Sequence, residues 1–233
     1  MSEENRSNDE LSQDELIEKL IIERMGQISS DLAHDLRSPL QTIQNAIYLL
    51  QKTPDNPLLF DMIRQSLKQA TNLLDSFRDY YKGHIINPIE TEYKKIIDLA
   101  FSDLEIPDNV NVERNGSIDI QVRVDPAKTA LAIRHILLNG IEAMPEGGIL
   151  EVNVSETEES VVLQVKDTGV GITPNFVDSV FVPFESNKNQ GKGLGVPISK
   201  RVVESHGGAL SFTSQLGEGT VFTIILPKIT AKL

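Results

Sequence analysis

The sequence of 233 residues contains no cysteine and no tryptophan. Without cysteine, disulfide bonds, thiolate metal ligands and cysteine nucleophiles are all excluded. No apolar run approaches the roughly 20 residues that a membrane-spanning helix requires. The first ten residues, MSEENRSNDE, are acidic, whereas a signal peptide begins with basic residues. These features predict a cytoplasmic protein that does not insert into a membrane.

Basic residues are also scarce, with 22 Lys and Arg against 34 Asp and Glu and a net charge of −12. A surface with this charge repels nucleic acids and anionic lipids, so neither is expected as a partner. Any phosphate group that the protein binds must therefore meet local donors, such as backbone N–H groups or a single lysine.

The first third of the chain has helical periodicity. After an acidic tail over residues 1–10, apolar residues recur at steps of three and four up to Leu50, which predicts a long amphipathic helix. The segment 53–57, TPDNP, interrupts the pattern, and a second stripe runs from Leu59 to Tyr81. These patterns predict a helical hairpin over residues 11–84. Because two helices cannot cover both stripes, a homodimeric four-helix bundle is expected.

The composition changes after Gly83, where Val- and Ile-rich runs alternate with helical segments. Strands are predicted at 109–114, 118–124, 149–155, 160–167, 209–214 and 220–226, and helices at 92–104, 126–144 and 196–206. This order indicates an α/β sandwich with helices on one face of a mixed sheet. The whole chain is therefore predicted to be α+β, with a boundary near residues 84–88 and a second domain over 88–233.

One polar face is predicted on the helix that begins after Asp125. His135, Asn139 and Glu142 are spaced four and three residues apart and so share that face. Amide and carboxylate oxygens suit Mg²⁺, with waters and phosphate oxygens completing the octahedron. A solvated polar face is the alternative interpretation.

A second pattern, Asp167-Thr168-Gly169-Val170-Gly171, follows a predicted strand. A carboxylate beside two glycines fits a place where the backbone approaches a flat ligand while the acid accepts a hydrogen bond. The alternatives are an ordinary glycine turn and the Asp-Thr-Gly motif of an aspartic protease. The protease motif requires two facing acids, whereas this chain has one copy.

Two glycine-rich segments are the third and fourth patterns in this part of the chain. Residues 186–195, SNKNQGKGLG, place three glycines before a predicted helix, an arrangement that suits an anion. This segment is neither a Walker P-loop nor a Rossmann fingerprint. Residues 217–220, GEGT, form a predicted turn into the last strand, and an ordinary hairpin turn is the alternative.

Taken in order, these segments resemble the ATP-binding domain of bacterial-type histidine kinases, within the GHKL superfamily. HILLNGIEAMPEGG (135–148), VKDTGVGI (165–172), VFVPFESNK (180–188), GKGLGVPISKRVVESHGG (191–208) and GEGTVFTIILP (217–227) are similar to the N, G1, F, G2 and G3 boxes of that family. The Pro-Glu-Gly-Gly after the N box and the short loop are most similar to nitrogen-regulatory-type kinases.

The resemblance implies a role for each matching residue. Asp167 would bind the adenine amino group with support from Thr220, and Asn139 would coordinate Mg²⁺. The remaining residues implied to contact ATP are Gly169, Gly171, Lys188, Gly191, Gly193, Leu194 and Gly195, the last five within an ATP lid over 185–195. Two residues depart from the family pattern, because His135 stands where Asn is common and Gly140 where Ala is common.

His34 is the most informative of the four histidines. Its spacing from Leu32 and Leu36 places it outside the apolar stripe, so it points to solvent. The adjacent Asp35 can accept the N–H of one ring nitrogen, which leaves the lone pair of the other exposed. The string HDLRSPL (34–40) resembles the H box of histidine kinases. This resemblance implies that His34 is the phosphoacceptor, that Asp35 is a base, and that Ser38 stands where relatives have Thr or Asn.

The sequence therefore predicts an ATP- and Mg²⁺-dependent protein-histidine kinase. It would phosphorylate its own His34 and donate the phosphoryl group to a response-regulator aspartate. Two alternatives remain at this stage, a kinase-inactive relay protein and a serine kinase or ATPase of the same superfamily. His84 and His206 are each predicted to be structural residues near a helix end.

Overall fold

The computed structural model describes residues 13–82, 85–102, 104–116, 119–186 and 193–229, with side chains at residues 26, 29 and 30 and from residue 32 onward. Two long helices come first, α1 (Gln13–Leu50) and α2 (Pro57–Lys82). The elements that follow are β1 (Ile89–Glu92), α3 (Tyr93–Phe101), β2 (Val110–Gly116), β3 (Gln121–Val124), α4 (Pro126–Glu142), β4 (Gly148–Glu156), β5 (Ser160–Asp167), α5 (Gly195–Ser205), β6 (Ala209–Gln215) and β7 (Gly219–Pro227). A short 3₁₀ helix, Pro174–Ser179, lies between β5 and α5.

The chain divides into two compact units, Met1–Leu74 and Asp75–Leu233, so the division falls inside α2. In the first unit α1 continues through Pro39, although proline supplies no backbone N–H. Asn56 caps the start of α2, because its side-chain oxygen accepts a hydrogen bond from the Leu58 N–H at 3.1 Å. The buried residues of this unit are mostly small, whereas large apolar side chains remain exposed, among them Leu40, Ile47, Leu58, Leu67 and Leu74.

The second unit is built on a five-stranded mixed sheet in the order β2-β4-β5-β7-β6. β2 and β4 are parallel, and the other neighbours are antiparallel. β1 and β3 form a separate antiparallel pair. Burial alternates along the strands, as period-two patterning requires: Val161, Leu163 and Val165 are buried in β5.

Three helices complete the core of this unit. Ile96 of α3 and Ile133, Ile136 and Leu137 of α4 are fully buried against the inner face of the sheet. The predicted sandwich of helices on a mixed sheet is thereby confirmed.

Two local contacts fix α4, the helix that carries Asn139. Asp125 precedes the helix and its carboxylate accepts the Lys128 N–H at 3.1 Å, while Pro126 occupies the first helical position. On the next turns, Arg134 donates to the carbonyls of Leu99 and Ala100 at 2.8 and 3.1 Å. These carbonyls end α3, so one guanidinium joins the two helices.

The observed elements differ from the predicted ones mainly at their ends. The helix predicted over 92–104 ends at Phe101, and the strand predicted over 118–124 is described from Gln121. β1 and the 3₁₀ helix were not predicted. The second unit begins at Asp75, whereas the domain boundary was predicted near 84–88. Within the described residues, no helix has the length and apolar character needed to cross a membrane.

Candidate functional site

His34 lies on α1 in the first unit, and its side chain is 80% exposed. The prediction that it points to solvent is therefore confirmed. Its Nδ1 lies 3.5 Å from Oδ1 of Asp35. A carboxylate beside Nδ1 favours the tautomer that carries the proton there, which leaves the lone pair of Nε2 available to an electrophile.

Ser38 and Pro39 lie about one turn beyond His34 on α1. Pro39 is buried and has no N–H to offer the Asp35 carbonyl. Ser38 is exposed, and its carbonyl accepts a hydrogen bond from the Thr42 hydroxyl at 3.2 Å. Ser38 and His34 are thus both exposed on α1, four residues apart.

In the second unit Asp167 ends β5 and is 2% exposed. Its Oδ1 accepts hydrogen bonds from the Gly169 N–H at 2.9 Å and from the Thr220 N–H at 3.3 Å. These two backbone donors hold the carboxyl group in one orientation, with Oδ2 as the second acceptor oxygen. A buried, oriented carboxylate of this kind can recognise an exocyclic amino group.

Strand pairing brings Thr220 to Asp167, because the two residues are direct partners between β5 and β7. The Thr220 hydroxyl lies 2.9 Å from the Ser214 hydroxyl, which in turn accepts the Ile172 N–H at 2.8 Å. Ser214 therefore connects the final hairpin to the Asp167–Gly171 turn. The sequence interpretation missed Ser214, since no motif marks it.

The two glycines of this turn have steric reasons to be glycine. A Cβ built at Gly169 would lie 2.4 Å from the Ala143 carbonyl oxygen, and one at Gly171 would lie 2.3 Å from that of Gln215. Gly171 also has φ +69°, which disfavours any other residue. These close approaches tie the turn to the end of α4 and to the β6–β7 hairpin.

Gly140 accounts for one departure from the family pattern. A Cβ at this position would lie 3.5 Å from Cβ of Asp167, an ordinary contact, but 2.7 Å from Cδ1 of Leu150. Leu150 is fully buried and occupies the space that an alanine would need. An alanine at position 140 would therefore press on Leu150 and not on Asp167.

His135, Asn139 and Glu142 follow one another along α4, with Asn139 half-buried and Glu142 exposed. Burial lowers the pKa of His135 to about 4, with Arg134 acting in the same direction and Asp79 against it. Its Nδ1 is buried and has no hydrogen-bond partner among the described residues. The Asn139 and Glu142 oxygens are donors that Mg²⁺ accepts, in a number that suits an ion held mainly by phosphates and water.

The start of α5 approaches the same part of α4. A Cβ at Gly195 would lie 3.5 Å from Cγ of His135, and Leu194 is 2% exposed. Gly193 has φ +64°, and its carbonyl accepts the Phe184 N–H at 3.1 Å. The predicted ATP-contacting residues Lys188 and Gly191 lie outside the described residues.

The structure therefore joins most of the predicted ATP-contacting residues in the second unit. Strand pairing joins Asp167, Gly169, Gly171 and Thr220, and helix packing brings Gly195 to the turn of α4 before Asn139. His34 and Asp35 belong to the first unit.

His206 has the structural role that was predicted for it. It is 8% exposed, its Nε2 accepts the Asp125 N–H at 2.8 Å, and its Nδ1 donates to the Val202 carbonyl at 2.7 Å. The imidazole thus joins the end of α5 to the residue that caps α4. His84, the other histidine predicted to be structural, lies outside the described residues.

Two family models match the chain. Residues 24–84 match the His Kinase A (phospho-acceptor) domain, and residues 124–230 match the histidine kinase-, DNA gyrase B- and HSP90-like ATPase. Together the matches cover well over half of the sequence. The second match identifies ATP as the ligand of the second unit.

Similar proteins include sporulation kinase D of Bacillus subtilis (strain 168), which is 30% identical over 88% of this chain and 42% of its own length. Sensor histidine kinase ZraS of Escherichia coli (strain K12) is 27% identical over 96% of this chain and 50% of its own length. The chain thus spans about half the length of the curated relatives that it matches. The resemblance to nitrogen-regulatory-type kinases stays a prediction.

Among solved structures, the histidine kinase ThkA in complex with the response regulator protein TrrA has a similar fold. It has a TM-score of 0.73 at 20% identity and covers 97% of this chain and 70% of its own. The phospho-acceptor match contains His34, and the ATPase match contains Asn139, Asp167 and Thr220. The chain therefore belongs to the histidine kinase family, of which it contains the phospho-acceptor domain and the ATPase domain.

Proposed function

We propose that the protein transfers the γ-phosphoryl group of ATP to its own His34 and then to an aspartate of a response-regulator receiver. The observation that carries this proposal is the combination of an exposed His34 beside Asp35 with a buried, oriented Asp167 in an ATPase domain.

The adenine end of ATP is assigned to Asp167 and Thr220. Two backbone N–H groups orient the Asp167 carboxyl group, which would accept a hydrogen bond from the adenine amino group. The Thr220 hydroxyl, linked to Ser214, supplies a second polar group at the same end. Gly169 and Gly171 let the backbone of this turn pack closely against Ala143 and Gln215, which would fix the turn beside the flat base.

The phosphate end is assigned to Asn139 and to the residues that open α5. Asn139, with Glu142 one turn further on, would hold Mg²⁺ through oxygen ligands. When bound, Mg²⁺ neutralises part of the phosphate charge during phosphoryl transfer. Gly193, Leu194 and Gly195 would present backbone N–H groups to the phosphates. Lys188 and Gly191 are proposed to contribute to the same end on the family resemblance alone.

The first transfer forms a bond between Nε2 of His34 and the γ-phosphorus, and the bond from that phosphorus to the bridging oxygen of ADP breaks. The proton on Nδ1 faces Asp35, whose carboxylate stabilises the positive charge that develops on the ring and accepts that proton. In the second transfer Asp35 returns the proton to Nδ1, the receiver aspartate attacks the phosphorus, and the histidine leaves as the neutral imidazole.

The proposed partners are a second copy of the chain and a receiver protein. The large apolar side chains exposed on α1 and α2 require a partner, and a second hairpin supplies matching stripes. The receiver is inferred from the family and from the ThkA complex with its response regulator. A cytoplasmic location remains the prediction made from composition.

The test is incubation of the full chain with γ-labelled ATP and Mg²⁺. We expect label on the wild type and on His84→Gln, and none on His34→Gln. The label should be acid-labile and stable in alkali, as phosphohistidine is. His84→Gln is the matched control because it removes a histidine that is assigned no chemical role.

Two outcomes would favour the alternatives. An unlabelled wild type that still accepts phosphate from a phosphorylated receiver indicates a relay protein. Acid-stable, alkali-labile label on a partner protein indicates a serine kinase.

A further inference from the structure

The last turns of α2 pack with the ATPase domain. We call residues Asp75–Lys82 the α2 end; they are part of the second compact unit, although they continue the helix of the first. The α2 end includes three aromatic residues, Phe77, Tyr80 and Tyr81. Phe77 and Tyr81 lie close together, with ring centroids 4.7 Å apart.

Tyr80 makes the central contact. It packs on a small apolar cluster of the second unit that comprises Ala132 of α4 together with Leu194, Ile198 and Val202. The guanidinium of Arg201 lies over the Tyr80 ring at 4.7 Å from its centroid. The Tyr80 ring therefore contacts both an apolar cluster and a cation.

Phe184 extends this contact. It packs on the same cluster, its ring centroid is 6.5 Å from that of Phe77, and its N–H donates to the Gly193 carbonyl. Phe184 therefore lies beside the α2 end, and Leu194 belongs to the cluster on which Tyr80 packs. They lie at the two ends of the chain segment that is implied to contact the phosphates of ATP.

Lys128 binds the C-terminal end of α2. Its ammonium donates to the Lys82 carbonyl at 2.8 Å and to the Ile85 carbonyl. Lys128 is in the first turn of α4, and further along that helix His135 places its ring against Gly195. One helix thus contacts the α2 end, the start of α5 and, through Asn139, the proposed metal.

We propose that Tyr80 and Arg201 are positioning residues for nucleotide binding: with Tyr80 packed in place, Leu194 and Gly195 are held where their N–H groups meet the phosphates. Removal of the ring would expose Leu194 and Ile198 and release the start of α5. Because the coupling is reciprocal, bound nucleotide also strengthens the packing of the α2 end. This inference rests on the proposed binding of ATP by the second unit.

The experiment measures the affinity of the full chain for a non-hydrolysable ATP analogue with Mg²⁺ by titration calorimetry. Tyr80→Ala should weaken binding roughly five- to tenfold, within the range typical of such coupling. Arg201→Gln should weaken it by a smaller factor, and Tyr80→Phe, which keeps the ring, should bind like the wild type.

Arg114→Gln is the matched control. Arg114 also lies over an aromatic ring, that of Phe101, at 3.5 Å, but it is on β2, the edge strand of the sheet. Its removal deletes the same kind of contact without touching the α5 start, so affinity should not change.

Amide hydrogen exchange of residues 75–82 supplies a second readout. Nucleotide should slow this exchange in the wild type and in Arg114→Gln, and should slow it less in Arg201→Gln. If Tyr80→Ala and Arg201→Gln bind the analogue as tightly as the wild type, and nucleotide leaves the exchange unchanged, the inference is wrong. If the wild type does not bind the analogue, the proposed function itself fails.

Discussion

At the scale of single residues, Gly171 and Gly207 have nearly the same backbone conformation, with φ +69° and +73°, but different surroundings. A Cβ at Gly171 would lie 2.3 Å from the Gln215 carbonyl oxygen, whereas no described atom lies within 4 Å of a Cβ at Gly207. The pair therefore separates backbone strain from steric collision.

We expect Gly207→Ala to lower the free energy of unfolding by about 1 kcal/mol, the cost of a left-handed alanine. Gly171→Ala should lower it by roughly 3 kcal/mol or more, because the collision adds to the strain. Urea unfolding of both variants measures the difference. Equal losses would mean that the Gln215 backbone yields to the new side chain.

His135 gives the second prediction at this scale. Burial lowers its pKa to about 4 from an ordinary 6.5, so between these values the unfolded chain binds more protons than the folded protein. The free energy of unfolding is therefore unaffected by this group above about pH 6.5, and it decreases as the pH falls from 6.5 toward 4. From pH 7.5 to pH 5 the wild type should lose about 1–2 kcal/mol more than His135→Asn.

The measurement is urea unfolding of both proteins at the two pH values. Groups that titrate in both proteins cancel in the comparison, which isolates His135. A loss of stability with the same pH dependence in the two proteins would show that burial of this imidazole has no energetic consequence.

Residue types predicted much of the site proposed for ATP. Asp167, Gly169, Gly171 and Thr220 were named from local motifs, and the structure joins them. Ser214 was missed because its role depends on the registers of β6 and β7, which place its hydroxyl against Thr220. A serine in a strand has no local feature that predicts such a partner.

At the scale of elements, the residues that precede α3 and α4 can be compared directly. Asp125 caps α4 with a side-chain hydrogen bond and also accepts the Asn87 N–H at 3.0 Å. Glu92 occupies the same position before α3 but makes no capping bond in the described structure. Its contact is instead an exposed ion pair with Lys95.

Asp125→Ala should therefore destabilise the protein by about 1–2 kcal/mol, and Glu92→Ala by less than about 0.5 kcal/mol. Thermal unfolding of both variants checks the expectation. A similar effect for both would mean that α4 is held by packing and needs no cap. We also expect Asp125→Ala to weaken ATP binding, since α4 carries Asn139.

The patterns that predicted elements well were long or rich in apolar residues. The stripe that ends at Leu50 predicted α1, and a Val-rich run predicted β5 with its observed bounds. β1 was missed because its four residues, IETE, are at most half-buried and pair only with β3. A strand that contributes so little to the core leaves no hydrophobic pattern in the sequence.

At the scale of the whole molecule, the first unit does not bury its own apolar surface. Leu67 of α2 is 52% exposed, and Gln65, about half a turn away, is also exposed. If two chains associate through these stripes, Leu67→Glu should shift the dimer toward the monomer in sedimentation equilibrium, whereas Gln65→Glu should not. A wild type that is monomeric at high concentration would contradict the proposed four-helix bundle.

Domain order was predictable at this scale, because the change from helical to strand periodicity near Gly83 is strong. The start of the second compact unit at Asp75 was not predictable. The predicted stripe of α2 ends at Tyr81 and does not include Tyr80, so nothing in the spacing indicated a partner for Tyr80. Its contacts, with the cluster that contains Leu194 and with Arg201, are made with residues distant in the sequence, so only the folded chain reveals them.

The division of the chain inside α2 has a consequence for inheritance. A recombination event within codons 83–88, between α2 and β1, would join the Tyr80 of one parental gene to the Arg201 of another. A crossover ahead of codon 75 would keep the two together. Among natural hybrids of such genes, exchanges should therefore survive more often upstream of this codon, and substitutions at the two positions should be inherited as a pair.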